Sequence, residues 1–151
     1  MAVTIWVDAD ALPGPVKEIL TKASLKREID VVLVANRWME KPKSFRVTTV
    51  TVAAGADQAD DYIAEKCTEG DLVITSDIPL ADRVVAKGAD VITAYGRVLD
   101  ETTIREALSL RDFKEELRDL GVDTGGPPPY GPSQKQDFAN ALDRFLTRLN
   151  R

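Results

Sequence analysis

At 151 residues, with 44% hydrophobic and 30% charged side chains, the chain has the size and make-up of one globular domain able to bury a proper core. It contains no histidine, which excludes imidazole general bases, Ser-His-Asp and Cys-His machinery and His-liganded zinc, leaving carboxylates, amines, hydroxyls or a bound metal to do any chemistry. A net charge of -5 argues against a broad electrostatic embrace of nucleic acid but leaves room for a local basic patch.

The first ten residues, MAVTIWVDAD, read as a short buried strand ending abruptly in two acids, Asp8 and Asp10. Asp10 alone has an ordinary explanation as cap of the helix expected from Pro13 to Ser24, whose Val16, Ile19, Leu20 and Ala23 share a face. Asp30 to Asn36 is a continuous apolar run, the pattern of a strand covered on both faces. Phe45 to Ala53 reads as a third strand, Asp57 to Cys67 as a helix, and Leu72 to Thr75 as a fourth strand ending in Ser76-Asp77. Pro79 to Lys87 is a further helix stopped by Gly88, and Asp90 to Gly96 a fifth strand. Strands alternating with helices at this spacing predict a three-layer α/β/α domain with a mostly parallel five-stranded sheet, its strand order open.

After Gly96 the pattern turns helical with no further strand expected, so residues 1–96 form an α/β core and 97–151 a helical extension of the same domain. One helix is expected over Thr102 to Leu108. A second should start at a capping box, Asp112 to Glu115, and run to Leu120. The Gly/Pro-rich stretch 125–132 must be irregular, a connector or a lid. Ser133 with Gln136 resembles another capping box ahead of the stripe Phe138, Ala141, Leu142, Phe145 and Leu149. No apolar run reaches the roughly 18 residues of a membrane span, no leader is expected, and the lone Cys67 suits a helix filler in a reducing cytoplasm.

The chemistry-bearing pattern is acidic. Asp8 and Asp10 end the first strand, Asp77 ends the fourth with Asp82 following in the next helix, and Asp57, Asp60 and Asp61 open the helix after the third. Carboxylates brought about 4 Å apart repel by a few kcal/mol at an effective dielectric near ~20. A divalent cation relieves that strain, and an all-oxygen donor set points to Mg²⁺ or Mn²⁺. Taken singly, Asp57 and Asp77 are equally good helix-start residues.

IWVDADALP, GADQADDYI, GDLVITSDIPLAD, the TGGP at 124–127 and the closing DFANALDR together resemble the bacterial YaiI/YqxD family over nearly the whole chain. That family is similar in fold to the PIN-like and NYN nucleases. The resemblance implies a metal-dependent nuclease fold with Asp8 as the first-strand acid, Asp57 to Asp61 as helix acids and Asp77 with Asp82 as the later pair. Family members carry Cys where this chain has Leu12, so a thiol at that place is not expected to be catalytic here.

Residues 36–46, NRWMEKPKSFR, add four basic groups with Trp38 and Phe45, a composition suited to stacking bases and meeting phosphates of single-stranded nucleic acid. A solvated loop with Trp38 folded inward is the plainer alternative. The leading expectation is a PIN-like phosphodiesterase acting on RNA, with the acids holding Mg²⁺ or Mn²⁺, Asn36 orienting substrate or water and Lys17 approaching the phosphate. A haloacid-dehalogenase-like phosphatase would instead use Asp8 as nucleophile and Asp10 as acid/base, though the acidic cluster then precedes Thr75-Ser76 in the wrong order. A non-catalytic metal- or RNA-binding protein would keep the same fold.

Overall fold

The opening apolar run forms β1, Thr4–Asp8, in the computed structural model, which describes residues 3–10, 12–55 and 57–149. Met1 and Ala2, expected at the head of that run, lie outside the described residues. The chain continues as α1 (Gly14–Lys26), β2 (Asp30–Ala35), β3 (Val47–Thr51), α2 (Gln58–Lys66), β4 (Leu72–Ile74) and α3 (Ile78–Val85). It ends with β5 (Asp90–Ile92), β6 (Val98–Leu99), α4 (Ile104–Asp119) and α5 (Pro132–Leu149). No helix among the described residues is long and apolar enough to cross a membrane.

The sheet has the order β3-β2-β1-β4-β5-β6, with β1 to β5 parallel and β6 antiparallel to β5. The sixth strand corrects the expected five. It is two residues long, and alternation cannot be read from two residues. Ile5, Val7, Val31, Leu33, Leu72 and Ile74 face one side, where α1 and α5 cover them. Trp6, Val34, Val73 and Val91 face the other, under α2, α3 and α4. The result is the expected three layers.

Three local expectations give way to longer-range partners. The two helices expected after residue 102 are one, α4, because nothing between Leu108 and Asp112 breaks a helix. The Asp112–Glu115 pattern lies inside it, where Arg111 instead bridges to Glu115 at 3.5 Å. The box opening α5 is one step removed from Ser133 and Gln136: the Gln134 side chain accepts from the Gly131 amide at 2.9 Å, while Gln136 bonds Asn140. Behind that start Phe138, Ala141, Leu142, Phe145 and Leu146 are buried, and Leu149 stays partly exposed. Removing the Phe138 ring would cost about 3–5 kcal/mol. An Arg27–Asp143 ion pair ties α1 to α5 across their edge.

Two contacts hold the frame in register. Gly96 turns the chain between β5 and β6 at φ +84°, and a Cβ there would stand 2.6 Å from the Asp137 carbonyl oxygen, so only glycine lets the turn meet α5. Asp71, buried ahead of β4, accepts from the Thr4 amide, the Trp6 indole and both the amide and hydroxyl of Thr68, at 2.9–3.1 Å. One carboxylate thus pins the start of β1 to the start of β4.

Candidate metal-binding acidic site

The strand order reverses at β1: the chain builds outward through β2 and β3, then returns to the other side of β1 with β4. In an open parallel sheet the crevice beyond the carboxyl ends at such a reversal is where ligands settle. Asp8 is the last residue of β1, and Thr75 and Asp77 follow β4 directly. The sequence therefore delivers two acids to the two lips of that crevice.

A single hydroxyl organises them. Thr75, almost fully buried, donates to Asp8 Oδ2 at 3.0 Å and accepts from the Asp77 amide at 3.0 Å. Asp77 in turn caps α3, its Oδ1 accepting from the Leu80 amide at 3.0 Å. The ordinary explanation of Asp77 therefore holds, and it coexists with a place at the crevice. Sequence alone does not mark Thr75 as a partner of the acids, because a threonine at a strand end is indistinguishable there from any other strand residue.

From the side, α2 brings Asp60. Burial, followed by the charges of Asp77, Asp8 and Asp57, pushes the Asp60 carboxyl up to about 6, with Arg83 pulling the other way. Burial likewise raises Asp8, reinforced by Asp10 and Asp77 and opposed by the Thr75 hydroxyl and the Asp10 amide. Asp60 thus sits in the fields of Asp77, Asp8 and Asp57, and Asp8 in those of Asp10 and Asp77. Asp57 precedes α2 in the left-handed region at φ +68° and makes no side-chain cap, a conformation that Asp tolerates better than most residues.

The remaining acids lie elsewhere. Both oxygens of Asp10 accept from the Asn36 amide, at 3.0 and 3.2 Å, which ties the loop after β1 to the loop after β2. The ordinary alternative, in which Asp10 caps α1, does not hold: the N-cap residue of that helix is Pro13, with no side-chain cap. Asp61 pairs with Arg83 at 2.8 Å on the exposed side of α2, and Asp82 is exposed on α3. Lys17 lies along α1, its ammonium 3.4 Å from the Glu40 carbonyl oxygen, and Asn36 is exposed at the end of β2.

The donors are all carboxylate and hydroxyl oxygen; Asp8 and Asp60 are raised first by burial and then by neighbouring carboxylates, and a hard divalent cation would favour the charged form of both. Among the described residues, no three acids already stand as a closed ligand cluster. Donor chemistry and charge fit Mg²⁺ or Mn²⁺; a formed coordination shell would require side chains to draw in.

Beside the crevice, residues 36–46 return to the base of β3. Buried Met39 and Ser44 anchor this loop, the latter through a 2.7 Å hydroxyl pair with Ser24. Trp38 is 77% and Phe45 78% exposed, so the inward-folded tryptophan is corrected. Arg46 stacks over Phe45 at 5.2 Å. Between the loop and α1 runs a groove of about 440 Å³ with Lys17, Lys22, Lys41 and Lys43 set against Glu18 and Glu40. The Gly/Pro stretch is held by Tyr95 to the Pro128 carbonyl and by Tyr130 to the Ala94 carbonyl, both 2.9 Å, which makes it a fastened connector.

A family model described as "Uncharacterized BCR, YaiI/YqxD family" matches residues 6–148. The chain belongs to the YaiI/YqxD family. Among curated relatives, a UPF0178 protein of Maridesulfovibrio salexigens is 51% identical over 148 residues, covering 97% of this chain and 98% of the relative. A UPF0178 protein of Desulfotalea psychrophila is 52% identical over 145 residues, covering 96% and 98%, and one of Myxococcus xanthus 48% over 145 residues, covering 96% and 95%. For this YaiI/YqxD chain, the family match takes in the end of β1 from Trp6, with β4, α2 and both lips of the crevice.

Proposed function

We propose that the protein is a divalent-cation-dependent phosphodiesterase of the PIN-like kind, acting on single-stranded nucleic acid, RNA in the first instance. The observation that carries this reading is the convergence of Asp8, Asp60 and Asp77 at the switch point of the sheet. Those three carboxylates would hold Mg²⁺ or Mn²⁺, which when bound supplies an acidified water and a counter-charge for the phosphoryl oxygens. Thr75 fixes the Asp8 carboxylate and, through the Asp77 amide, the start of α3. The Asp10–Asn36 lock holds the crevice rim, and exposed Trp38, two residues beyond Asn36, offers a stacking face on the loop whose Lys41 and Lys43 line the groove. A reducing compartment suits its single, fully buried thiol, Cys67.

In the phosphatase alternative Asp10 would serve as acid/base while accepting from the Asn36 amide, and the acidic cluster still precedes Thr75-Ser76 in the wrong order. The non-catalytic alternative keeps the same acids and the same fold without turnover. One experiment separates the three. Labelled single-stranded RNA and a small phosphomonoester are each incubated with the purified protein, with Mn²⁺ or with EDTA, for wild type and Asp8→Asn. The expected result is RNA cleavage with Mn²⁺ alone, lowered at least about 100-fold by Asp8→Asn, since losing an inner ligand exceeds the 10–100-fold cost of an outer one. RNA that is bound and released by salt but never cut would leave a binding protein. Hydrolysis of the monoester alone would revive the phosphatase.

A further inference from the structure

The groove between α1 and residues 40–43 gathers positive charge in a chain whose net charge is -5. Four ammonium groups, those of Lys17, Lys22, Lys41 and Lys43, share its walls with two carboxylates, Glu18 and Glu40. Among the described residues none of these six side chains is ion-paired. The stability of α1 does not account for the arrangement. That helix has no side-chain cap and no acid in its first turn, so its positive end is not neutralised. Lys17 closes the same turn, where a cation opposes the helix dipole.

The loop wall is anchored at both ends. Met39, before residues 40–43, is buried; Ser44, after them, is buried and pairs with the Ser24 hydroxyl of α1 at 2.7 Å. Across the groove Lys17 Nζ donates to the Glu40 carbonyl oxygen at 3.4 Å. The backbone of the wall is thus fixed against α1 while Lys41 and Lys43 stay exposed. Trp38, 77% exposed, lies on the segment that joins this wall to the crevice rim. It is two residues from Asn36, tied to Asp10 at the rim, and two from Glu40 in the wall. Two residues span at most about 7 Å, so the tryptophan backbone stands within that distance of both.

We propose that the groove is a track for the phosphates of the unpaired strand flanking the cleaved bond, with Trp38 stacking one base between track and crevice. The inference rests on the phosphodiesterase reading for where the strand leads, but not for what the groove holds. Ammonium groups on flexible stems meet phosphates as point charges without reading sequence. An indole face takes any base, because every base has a π-face. A base stacked and paired inside a duplex has no face to offer, so the track selects single strands. An acidic peptide would satisfy the lysines and leave the ring without a planar partner. From Gly14 to Lys22 the helix wall rises about 12 Å, room for about three phosphates at about 3.4 Å each, so binding is weak and falls with salt.

Anisotropy of a short labelled RNA of mixed sequence, titrated with the full chain in EDTA, reads binding apart from turnover. Wild type should bind it, with log K falling linearly against log salt between about 50 and 200 mM. Lys41→Gln combined with Lys43→Gln should make that slope shallower by about 1.4, two phosphates at about 0.7 each. Trp38→Ala should weaken binding about five-fold or more at unchanged slope, because stacking releases no counterion. Lys114→Gln combined with Lys135→Gln, on α4 and α5, should leave both quantities as in wild type. No binding at about 50 mM salt overturns the proposal, as does a groove variant that keeps the wild-type slope. A duplex or a polyglutamate peptide held as tightly as the single strand overturns the selection of an unpaired strand. RNA bound through the groove but never cut supports the track while the phosphodiesterase reading fails. Mn²⁺-dependent cleavage whose KM is unmoved by the paired Lys41 and Lys43 substitutions keeps that reading and overturns the track.

Discussion

Replacing Asp60 with asparagine should make the protein more stable at neutral and alkaline pH, and the structure gives the size of the gain. The folded carboxyl titrates at about 6, against an ordinary 3.8, because burial and three neighbouring aspartates penalise its charged form. Between those values the native state holds more protons than the unfolded chain, so stability falls as pH rises through that window. Below it the penalty vanishes; above it the penalty is complete. Two pKa units correspond to nearly 3 kcal/mol, but Asp60 is partly solvated, and screening brings the expected penalty to about 1–2 kcal/mol. Asparagine keeps the shape and removes the charge. Thermal melts in EDTA at constant ionic strength should therefore show Asp60→Asn higher than wild type by about 2–8 °C at pH 8, with the difference shrinking towards zero by about pH 3.5. A variant no more stable than wild type at pH 8, or equally stabilised at both pH values, would refute the crowding of charge inferred here.

Other outcomes follow from the same geometry. Millimolar Mn²⁺ should raise the melting temperature of wild type more than that of Asp60→Asn or Asp8→Asn, since a cation binding only the folded state stabilises by mass action. Thr75→Val should cost about 1–3 kcal/mol by leaving the Asp77 amide without its acceptor, and should lower any Mn²⁺-dependent cleavage further than stability alone accounts for. Asp71→Asn should cost about 2–4 kcal/mol in chemical denaturation without altering Mn²⁺ affinity, because its four hydrogen bonds serve the frame at the opposite end of β1.

What the sequence made legible was decided by short-range pattern. The runs VVLVA and LVI announced strands buried on both faces, and the acids were conspicuous because each ended a strand or opened a helix. What stayed hidden depended on distant partners. Asp10 stands near Pro13 in sequence, yet its carboxylate belongs to Asn36 at the end of the neighbouring strand. The Asp112–Glu115 pattern fits a helix start, but only if the backbone before it is non-helical, and an uninterrupted helix has no such residue. Thr75 and Asp71 gain their roles only from the adjacency of β1 and β4, which brings Asp8 to the one and the Thr4 amide and Trp6 indole to the other.

The most direct test of the central claim is a crystal grown or soaked with Mn²⁺ and measured for its anomalous signal. The expected result is a peak at the mouth of the crevice, with carboxylate oxygens of Asp8, Asp60 and Asp77 drawn in to roughly 2.1 Å, the distance for a hard divalent cation. No peak at millimolar Mn²⁺, or a peak elsewhere with these three side chains unmoved, would contradict it.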